Sequence, residues 1–257
     1  MLEKPLIFVT NDDGIDSNGL YQLVKELRTI GEVIVVAPDH QQSAVGHMLT
    51  ISKPLRFSKF FRNGEIFGFA VNGSPSDCVK LALSSILPRK PDILVSGINY
   101  GKNTSINILY SGTVAAATEG YLAGIPSIAI SLSTYDINYD CKFPAILSRK
   151  IIQNLFFETK LKFKLLNVNI PAIPETQLKG IMITHCSNSY WNDKYEKRVD
   201  PFGREYYWFA GEYVSNSDDE GSDDWALKNG FVSITPISFN FTDFSLLNEL
   251  KKIELKM

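Results

Sequence analysis

Two adjacent aspartates stand directly after a short apolar run near the start of the chain. Asp12 and Asp13 follow the run 6–9, with Asn11 before them and Gly14 after them. Successive side chains of a strand point to opposite faces of a sheet, so both carboxylates can face one object only where the chain leaves the strand. Gly14 tolerates the backbone angles that such a departure needs. Asn-Asp-Asp-Gly is also an ordinary turn sequence, so the rest of the chain has to decide between a plain turn and a functional site.

Two further polar loops follow predicted strands in the first half of the chain. Ser43 lies in the loop after the apolar strand 33–37, and Asn99 follows the strand 92–96. Ligands of open α/β sheets bind beyond the carboxyl ends of the strands, so we expect these loops to meet the paired aspartates at one edge. Carboxylate, amide and hydroxyl oxygens suit Mg²⁺, Mn²⁺ or Ca²⁺ better than Zn²⁺. The pattern therefore predicts a site for a hard divalent cation.

A candidate phosphate-binding segment lies at Ser111-Gly112-Thr113, where an alanine-rich helix begins. The free N–H groups and the dipole of a helix N-terminus attract anions, although Ser111 or Thr113 could equally be an ordinary helix cap. A divalent cation beside a phosphate indicates phosphoryl chemistry. We therefore expect Asp12 or Asp13 to orient or deprotonate a metal-bound water.

An aspartyl-phosphate intermediate is the nearest alternative mechanism. Its usual Asp-x-Asp pattern would need an aspartate at position 11, where this chain has Asn11. Direct attack by metal-bound water is therefore favoured. The group that protonates the leaving oxygen stays open. His47, in the loop after Ser43, is one candidate, but a loop position alone does not establish reach.

The elements that must carry these residues alternate along the chain. Apolar residues at helical spacing predict a helix from about 17 to 30, between strands over 6–9 and 33–37. The same reasoning predicts a hairpin over 54–69, helices over 74–87, 111–123, 143–157 and 241–253, and strands over 92–96, 127–132, 164–170, 180–185 and 231–237. This order predicts one Rossmann-like α/β domain over 1–257, a mostly parallel sheet with helices on both faces.

Residues 187–230 interrupt the alternation. They are rich in aromatic and charged residues and carry no clear helix or sheet pattern. Such a long irregular stretch is unusual in a compact monomer, so we expect a β-rich C-terminal arm that makes a subunit contact. The acidic run 217–224 lacks the ligand spacing of an EF-hand and predicts a solvated turn rather than a calcium site.

The composition excludes several classes of partner. The 257 residues include 26 basic and 28 acidic side chains, with a formal charge of -2 and no strongly basic segment, so polymeric nucleic acid is not expected as a main partner. No apolar stretch approaches the roughly 20 residues of a bilayer span. The N-terminus leaves no room for a signal peptide, and we expect a cytoplasmic protein. Three separated cysteines, without a Cys-x-x-Cys pair, predict buried reduced thiols.

Longer motifs extend these observations over the whole chain. They include Asn11-Asp12-Asp13-Gly14-Ile15, Val35-Val36-Ala37-Pro38, Gln42-Ser43, Ser96-Gly97-Ile98-Asn99, Tyr110-Ser111-Gly112-Thr113-Val114, Asn167-Val168-Asn169-Ile170-Pro171 and Val232-Ser233-Ile234-Thr235-Pro236. With these motifs the chain resembles the SurE (survival protein) family of acid-phosphatase-like nucleotidases. Ala44 and Thr118 depart from the family's usual glycine and arginine, which we expect to affect substrate preference or rate.

The resemblance implies a divalent-metal-dependent 5'-nucleotidase that hydrolyses nucleoside monophosphates, often with activity on 3'-monophosphates and short polyphosphate. It implies one Mg²⁺ or Mn²⁺ per subunit, in a homodimer or homotetramer. The implied metal ligands are Asp12, Asp13, Ser43 and Asn99. We expect the substrate phosphate to be bound by Asn11, Asn99, Ser111, Gly112 and Thr113. The competing class is a non-catalytic module that holds a phosphorylated ligand at the same metal without turning it over.

Overall fold

The computed structural model describes residues 4–159, 161–216 and 218–253. In chain order the strands are β1 (Leu6–Thr10), β2 (Glu32–Pro38), β3 (Phe57–Arg62), β4 (Glu65–Val71), β5 (Ile93–Tyr100), β6 (Ser127–Ser133), β7 (Leu165–Pro171), β8 (Gly180–Ile183), β9 (Tyr190–Asn192), β10 (Tyr195–Val199), β11 (Glu205–Phe209), β12 (Glu212–Val214) and β13 (Phe231–Pro236).

The helices are α1 (Asn18–Leu27), α2 (Pro75–Leu81), α3 (Asn107–Tyr110), α4 (Gly112–Leu122), α5 (Lys142–Ile152), α6 (Asp223–Lys228) and α7 (Phe244–Leu250). α2 and α5 continue into π-helical turns over Ala82–Ile86 and Gln153–Glu158, and a 3₁₀ turn spans Glu175–Gln177. None of the helices in the described residues has the length and apolar character of a transmembrane span.

One sheet organises the described residues, with nine strands in the order β3-β4-β2-β1-β5-β6-β7-β13-β8. The strands from β4 to β7 in this order pair in parallel, whereas β3 is antiparallel to β4 and β13 is antiparallel to β7. The prediction of a Rossmann-like, mostly parallel sheet is confirmed. Because β1, β2 and β5 are parallel neighbours, the loops that follow them leave the same edge.

Helices cover both faces of this sheet, and the alternation along β1 shows how. Ile7 and Val9 belong to one buried cluster with the apolar residues of α1 and α5. Phe8 belongs to the other, with buried residues of α2 and α4. Both faces of β1 are therefore buried, which explains why the strand is a continuous apolar run.

The three cysteines differ in exposure. Cys78 and Cys141 are buried free thiols, as the sequence predicts. Cys186 is free but exposed, so the prediction of a buried thiol is wrong at this position. It follows β8, a strand at the end of the sheet order whose residues alternate between half-buried and exposed.

The segment 187–230 contains two different structures. Residues 190–214 form an antiparallel hairpin, in which β9 pairs with β12 and β10 pairs with β11. α6 instead belongs to the main body, with Ala226 fully buried. We refer to residues 190–214 as the hairpin arm.

The acidic run is not a solvated turn, which corrects the prediction for its C-terminal half. Asp223 is 0% and Asp224 is 2% exposed, whereas the Asp218 side chain is 97% exposed. Ser217, which the predicted turn included, lies outside the described residues. The buried pair is held by residues far away in the sequence, including Lys102, which no local pattern could reveal.

Candidate active site

Asp12 and Asp13 lie in a tight turn directly after β1. Gly14 adopts φ +96°, and an added Cβ would lie 3.2 Å from the His40 carbonyl carbon, so both the conformation and the space favour glycine. The Gln42 N–H donates to the Asp12 carbonyl oxygen over 2.7 Å. This bond fastens the loop after β2 to the turn after β1.

Asn11 closes the same turn from the interior. Its Nδ2 donates to the Gly14 carbonyl and to Ser17 Oγ, both at 2.9 Å, and the residue is fully buried. A carboxylate at this position could not donate to that carbonyl. Asn11 therefore holds the turn that presents Asp12 and Asp13, and it does not line the cavity described below.

The start of α4 abuts the Asp12 carboxylate. Thr113 Oγ1 donates to Asp12 Oδ1 at 2.5 Å, and the Thr113 N–H donates to Oδ2 at 3.1 Å. At Gly112 an added Cβ would lie 2.9 Å from Asp12 Cβ, so only glycine permits this approach. The helix N-terminus thus orients and stabilises a carboxylate of the protein itself.

Ser111 has a capping role and a place on the site. Its Oγ accepts from the Val114 N–H at 3.1 Å, which makes it the N-cap of α4. It also lines the cavity, whereas Gly112 and Thr113 lie behind Asp12 and do not. The predicted phosphate-binding segment is therefore divided between a cavity-lining cap and two residues that position an aspartate.

Asp13 is held less firmly than Asp12. Its Oδ2 accepts from the Tyr100 N–H at 3.2 Å, and its Oδ1 accepts from Gln41 Nε2 at 3.4 Å. Burial raises the pKa of Asp12. Burial, followed by repulsion from Asp12, raises the pKa of Asp13 to about 7. No ion pair among the described residues includes either carboxylate.

The two aspartates open onto a cavity of about 560 Å³ at the carboxyl edge of the sheet. All four predicted metal ligands, Asp12, Asp13, Ser43 and Asn99, line it. Asn99 Nδ2 donates to the Gly101 carbonyl at 2.6 Å, which leaves the amide oxygen available to a cation. The described residues contain no cluster of three or more His, Cys, Asp or Glu side chains suited to a metal, so the site offers two carboxylates and neutral oxygens.

This donor set fits a hard divalent cation. Two neighbouring carboxylates that carry raised pKa values and form no ion pair within the described part of the chain would be stabilised by a bound positive charge. Oxygen-only ligands favour Mg²⁺ or Mn²⁺ over Zn²⁺. The fit rests on the chemistry of the residues that the fold brings to one cavity.

His47 lies away from this cavity. Its Nε2 is 2.7 Å from Glu119 Oε1 on α4, and Glu119 also pairs with Lys80 at 2.8 Å. The imidazole lines a separate groove with apolar residues of α4. None of the three histidines, all of which are described, lines the cavity of Asp12, so the position of His47 does not support a role as the leaving-group acid.

Several residues of the cavity wall were not predicted as site residues. The hairpin arm contributes Trp191, Tyr195 and Phe209, and the loop after β6 contributes Tyr135. In the sequence the three aromatics of the hairpin arm belong to the stretch 187–230, which we interpret as a subunit contact, and Tyr135 belongs to no predicted site. Nothing in their spacing distinguishes a cavity wall from a subunit interface, because the outcome depends on where the hairpin arm folds back.

Comparison with known proteins identifies the family of the chain. The family model of survival protein SurE matches residues 7–193. The chain belongs to the SurE family. The resemblance inferred from the motifs is confirmed.

Relatives in the SurE family cover the chain almost completely. The 5'-nucleotidase SurE of Chlorobium phaeobacteroides is 44% identical over 255 residues, which are 99% of this chain and 98% of that protein. The 5'-nucleotidase SurE of Flavobacterium johnsoniae is 44% identical over 259 residues, with 98% of each chain covered. The crystal structure of the SurE protein from Aquifex aeolicus superposes with a TM-score of 0.83 at 37% identity, covering 96% of this chain and 99% of that chain.

Proposed function

We propose that this protein is a divalent-metal-dependent 5'-nucleotidase that hydrolyses nucleoside 5'-monophosphates to nucleoside and phosphate. The observation that carries the proposal is the pair of shielded carboxylates, without a cationic partner among the described residues, on the wall of a cavity of about 560 Å³. Similar proteins that match over nearly the whole chain are named 5'-nucleotidases. The proposal extends to 3'-monophosphates and short polyphosphate as further substrates.

One Mg²⁺ or Mn²⁺ per subunit would be held by Asp12, Asp13, Ser43 and Asn99, which all line the cavity. When bound, the cation would polarise a phosphoryl oxygen and increase the acidity of water in the site. Direct attack by water remains our preferred route, because Asn11 occupies the position at which an aspartyl-phosphate mechanism would need a second aspartate.

The chain's own residues hold the reacting groups in place. Thr113 fixes both oxygens of Asp12, and the Tyr100 N–H fixes one oxygen of Asp13. Ser111 stands on the cavity wall at the N-terminus of α4, where the helix dipole favours a phosphate. A carboxylate of the pair, when ionised, can accept a proton from water that approaches the phosphate.

A phosphate-release assay tests the proposal. The purified protein is incubated with AMP or GMP in the presence of Mn²⁺ or Mg²⁺, and then with a chelator. We expect release that requires the cation and stops with the chelator. Nucleotide binding without metal-dependent release would refute the enzyme and favour the non-catalytic binding module.

We also propose that the protein is a cytoplasmic homodimer or homotetramer in which the hairpin arm contacts a neighbouring subunit. Many of its side chains are exposed, including Tyr207 at 57% and Trp208 at 58%. Because Asn192 pairs with Glu212, residues 193–211 can be replaced by an Asn-Gly turn that preserves the β9–β12 pair. Small-angle scattering should show a smaller assembly for this variant, and an unchanged assembly would refute the assigned contact.

A further inference from the structure

The cavity that contains Asp12 and Asp13 has a mixed lining. It includes a polar group, made of the two aspartates, Ser43, Asn99 and Ser111, and an aromatic group, made of Tyr135, Trp191, Tyr195 and Phe209. A volume of about 560 Å³ lies within the range of sites for small organic ligands. A phosphate and one cation would leave the aromatic group unexplained.

The aromatic group comes from two separate segments. Tyr135 lies against Gly101, where an added Cβ would be 2.9 Å from Tyr135 Cε1. On the hairpin arm, the Tyr195 and Phe209 rings meet edge to face at 5.5 Å between their centroids. Glycine at position 101 thus leaves room for a ring beside the loop that carries Asn99.

Trp191 is fixed in its orientation by polar and aromatic neighbours. Its Nε1 donates to Asn107 Oδ1 at 2.8 Å, and its ring meets Tyr213 edge to face at 5.5 Å. Phe209 lies 6.1 Å from it, centroid to centroid. A pre-oriented indole loses little freedom when a ligand binds, which favours affinity.

We propose that Tyr135, Trp191, Tyr195 and Phe209 form a subsite that binds the nucleobase by stacking. This inference rests on the proposed function, since a phosphate bound among the polar residues sets the position of the base. Tyr195, Phe209 and Tyr135 are 64%, 52% and 78% exposed, so flat apolar surface is available to a base. Base–aromatic stacking tolerates every base because each has a π-face, so the subsite selects nucleotides over other phosphate esters.

The pairing of β10 with β11 supplies a matched control. Tyr195 lies opposite Phe209, and the next pair is Glu196 with Trp208. Successive residues of a strand face opposite sides, and Trp208 does not line the cavity. Trp208 is 58% exposed and Phe209 is 52% exposed, so the two aromatics differ mainly in the side they face.

The test compares kcat/KM for AMP with kcat/KM for ribose 5-phosphate, which lacks the base. For Tyr195→Ala and Phe209→Ala we expect the ratio of the two values to fall about tenfold, which corresponds to about 1.4 kcal/mol. Tyr195→Phe should keep the wild-type ratio because the ring remains. Trp208→Ala should also keep it. A ratio unchanged by both cavity-side alanines, or lowered equally by Trp208→Ala, would overturn the subsite.

Tyr135→Ala separates stacking from damage to the hairpin arm, because Tyr135 lies on a different segment. The same tenfold fall is expected, and an unchanged ratio would remove Tyr135 from the subsite.

Calorimetric titration with AMP and with ribose 5-phosphate keeps the two proposals distinct. AMP that binds through the aromatic residues without being hydrolysed would refute the nucleotidase and support the subsite. Hydrolysis of both substrates with no loss of preference in any variant would support the nucleotidase and refute the subsite.

Discussion

Asp12-Asp13 and Asp223-Asp224 are both adjacent aspartates shielded from solvent, but their surroundings differ. Asp224 pairs with Lys102 at 2.6 Å and also accepts from hydroxyl groups. The hydroxyl donors belong to Thr104, Ser187, Ser189 and Tyr213, at 2.5 to 2.8 Å. Asp223 accepts from three backbone N–H groups at 2.9 Å. Asp12-Asp13 has fewer donors and no ion pair among the described residues.

The pKa of Asp224 moves in the opposite direction to those of Asp12 and Asp13, and its larger set of donors is the reason. Burial would raise the pKa of Asp224, but hydrogen bonds from Lys102, Ser189 and Tyr213 outweigh it and lower the pKa. Burial raises the pKa of Asp223. At Asp12 and Asp13 burial dominates and both pKa values rise. A well-compensated carboxylate such as Asp224 holds the structure together, whereas the uncompensated pair is suited to receive a cation.

Asp12→Asn should produce the largest change, on activity rather than on stability. A metal ion contributes several kcal/mol to phosphoryl transfer, so its loss should reduce metal-dependent phosphate release from AMP about 10³-fold. The free energy of unfolding without metal should change by less than about 1 kcal/mol, because the amide removes an uncompensated buried charge.

Asp16→Asn serves as the control for that variant. Asp16 is exposed and lies outside the cavity, so its substitution should leave phosphate release unchanged. Turnover close to wild type in Asp12→Asn would remove Asp12 from the metal site. Loss of cooperative unfolding in that variant would instead make Asp12 a structural residue like Asp224.

Asp224→Asn should show the opposite pattern. The substitution leaves Lys102 without its carboxylate partner and disturbs hydroxyls arranged around an anion. We expect a loss of about 3 kcal/mol in the free energy of unfolding, measured with urea at neutral pH. Asp218→Asn, an exposed aspartate of the same acidic run, should change it by less than about 0.5 kcal/mol.

The pH dependence of this loss has a defined sign. The folded-state pKa of Asp224 lies below the unfolded value, so the ionised group stabilises the fold above a pH of about 3.9, and this contribution is lost as the pH falls further. The difference in Tm between wild type and Asp224→Asn should therefore be constant from about pH 8 to pH 5 and decrease below about pH 4. A difference that grows on acidification would contradict the assignment.

The sequence predicts that Asp12 and Asp13 lie at the edge of the sheet. It does not predict that Asp223 and Asp224 are buried, and the reason is physical. Asp12 and Asp13 directly follow an apolar run, and parallel topology sends Ser43 and Asn99 to the same edge. The burial of Asp224 depends on Lys102 and Thr104, which are 122 and 120 residues away in the chain. Local patterns of charge cannot predict such distant partners.

The same limit applies inside the candidate site. An alanine-rich helix with a Ser-Gly-Thr start predicts an anion at its N-terminus, but not which anion. Because Gly112 allows α4 to approach Asp12, the Thr113 N–H and hydroxyl bind that carboxylate. The walls formed by the hairpin arm likewise depend on how residues 190–214 fold back, which the hydrophobic pattern does not specify.

Thr113→Val tests whether this residue positions Asp12 or contacts phosphate. Valine keeps the shape but removes the hydroxyl that donates to Asp12 Oδ1. Loss of a group that orients a metal ligand typically weakens metal binding 10- to 100-fold, so we expect about tenfold weaker Mn²⁺ binding by electron paramagnetic resonance. Thr113→Ser should restore it. A higher KM for AMP with unchanged Mn²⁺ affinity would instead support the predicted phosphate contact.

Lys102→Met should lower the free energy of unfolding less than Asp224→Asn does. It tests whether Lys102 or the hydroxyl groups keep Asp224 ionised. The Lys102 side chain is 25% exposed, and its ammonium also lies 4.5 Å from the Tyr213 ring centroid. Four hydroxyl groups remain on Asp224 in the variant, so we expect a loss of about 1.5 kcal/mol, the low end of the range for a hydrogen bond to a charged group. Urea unfolding beside Asp224→Asn measures the difference. Equal losses in the two variants would show that the ion pair, and not the hydroxyl network, keeps Asp224 charged, and the contrast with Asp12-Asp13 would then reduce to the presence or absence of one lysine.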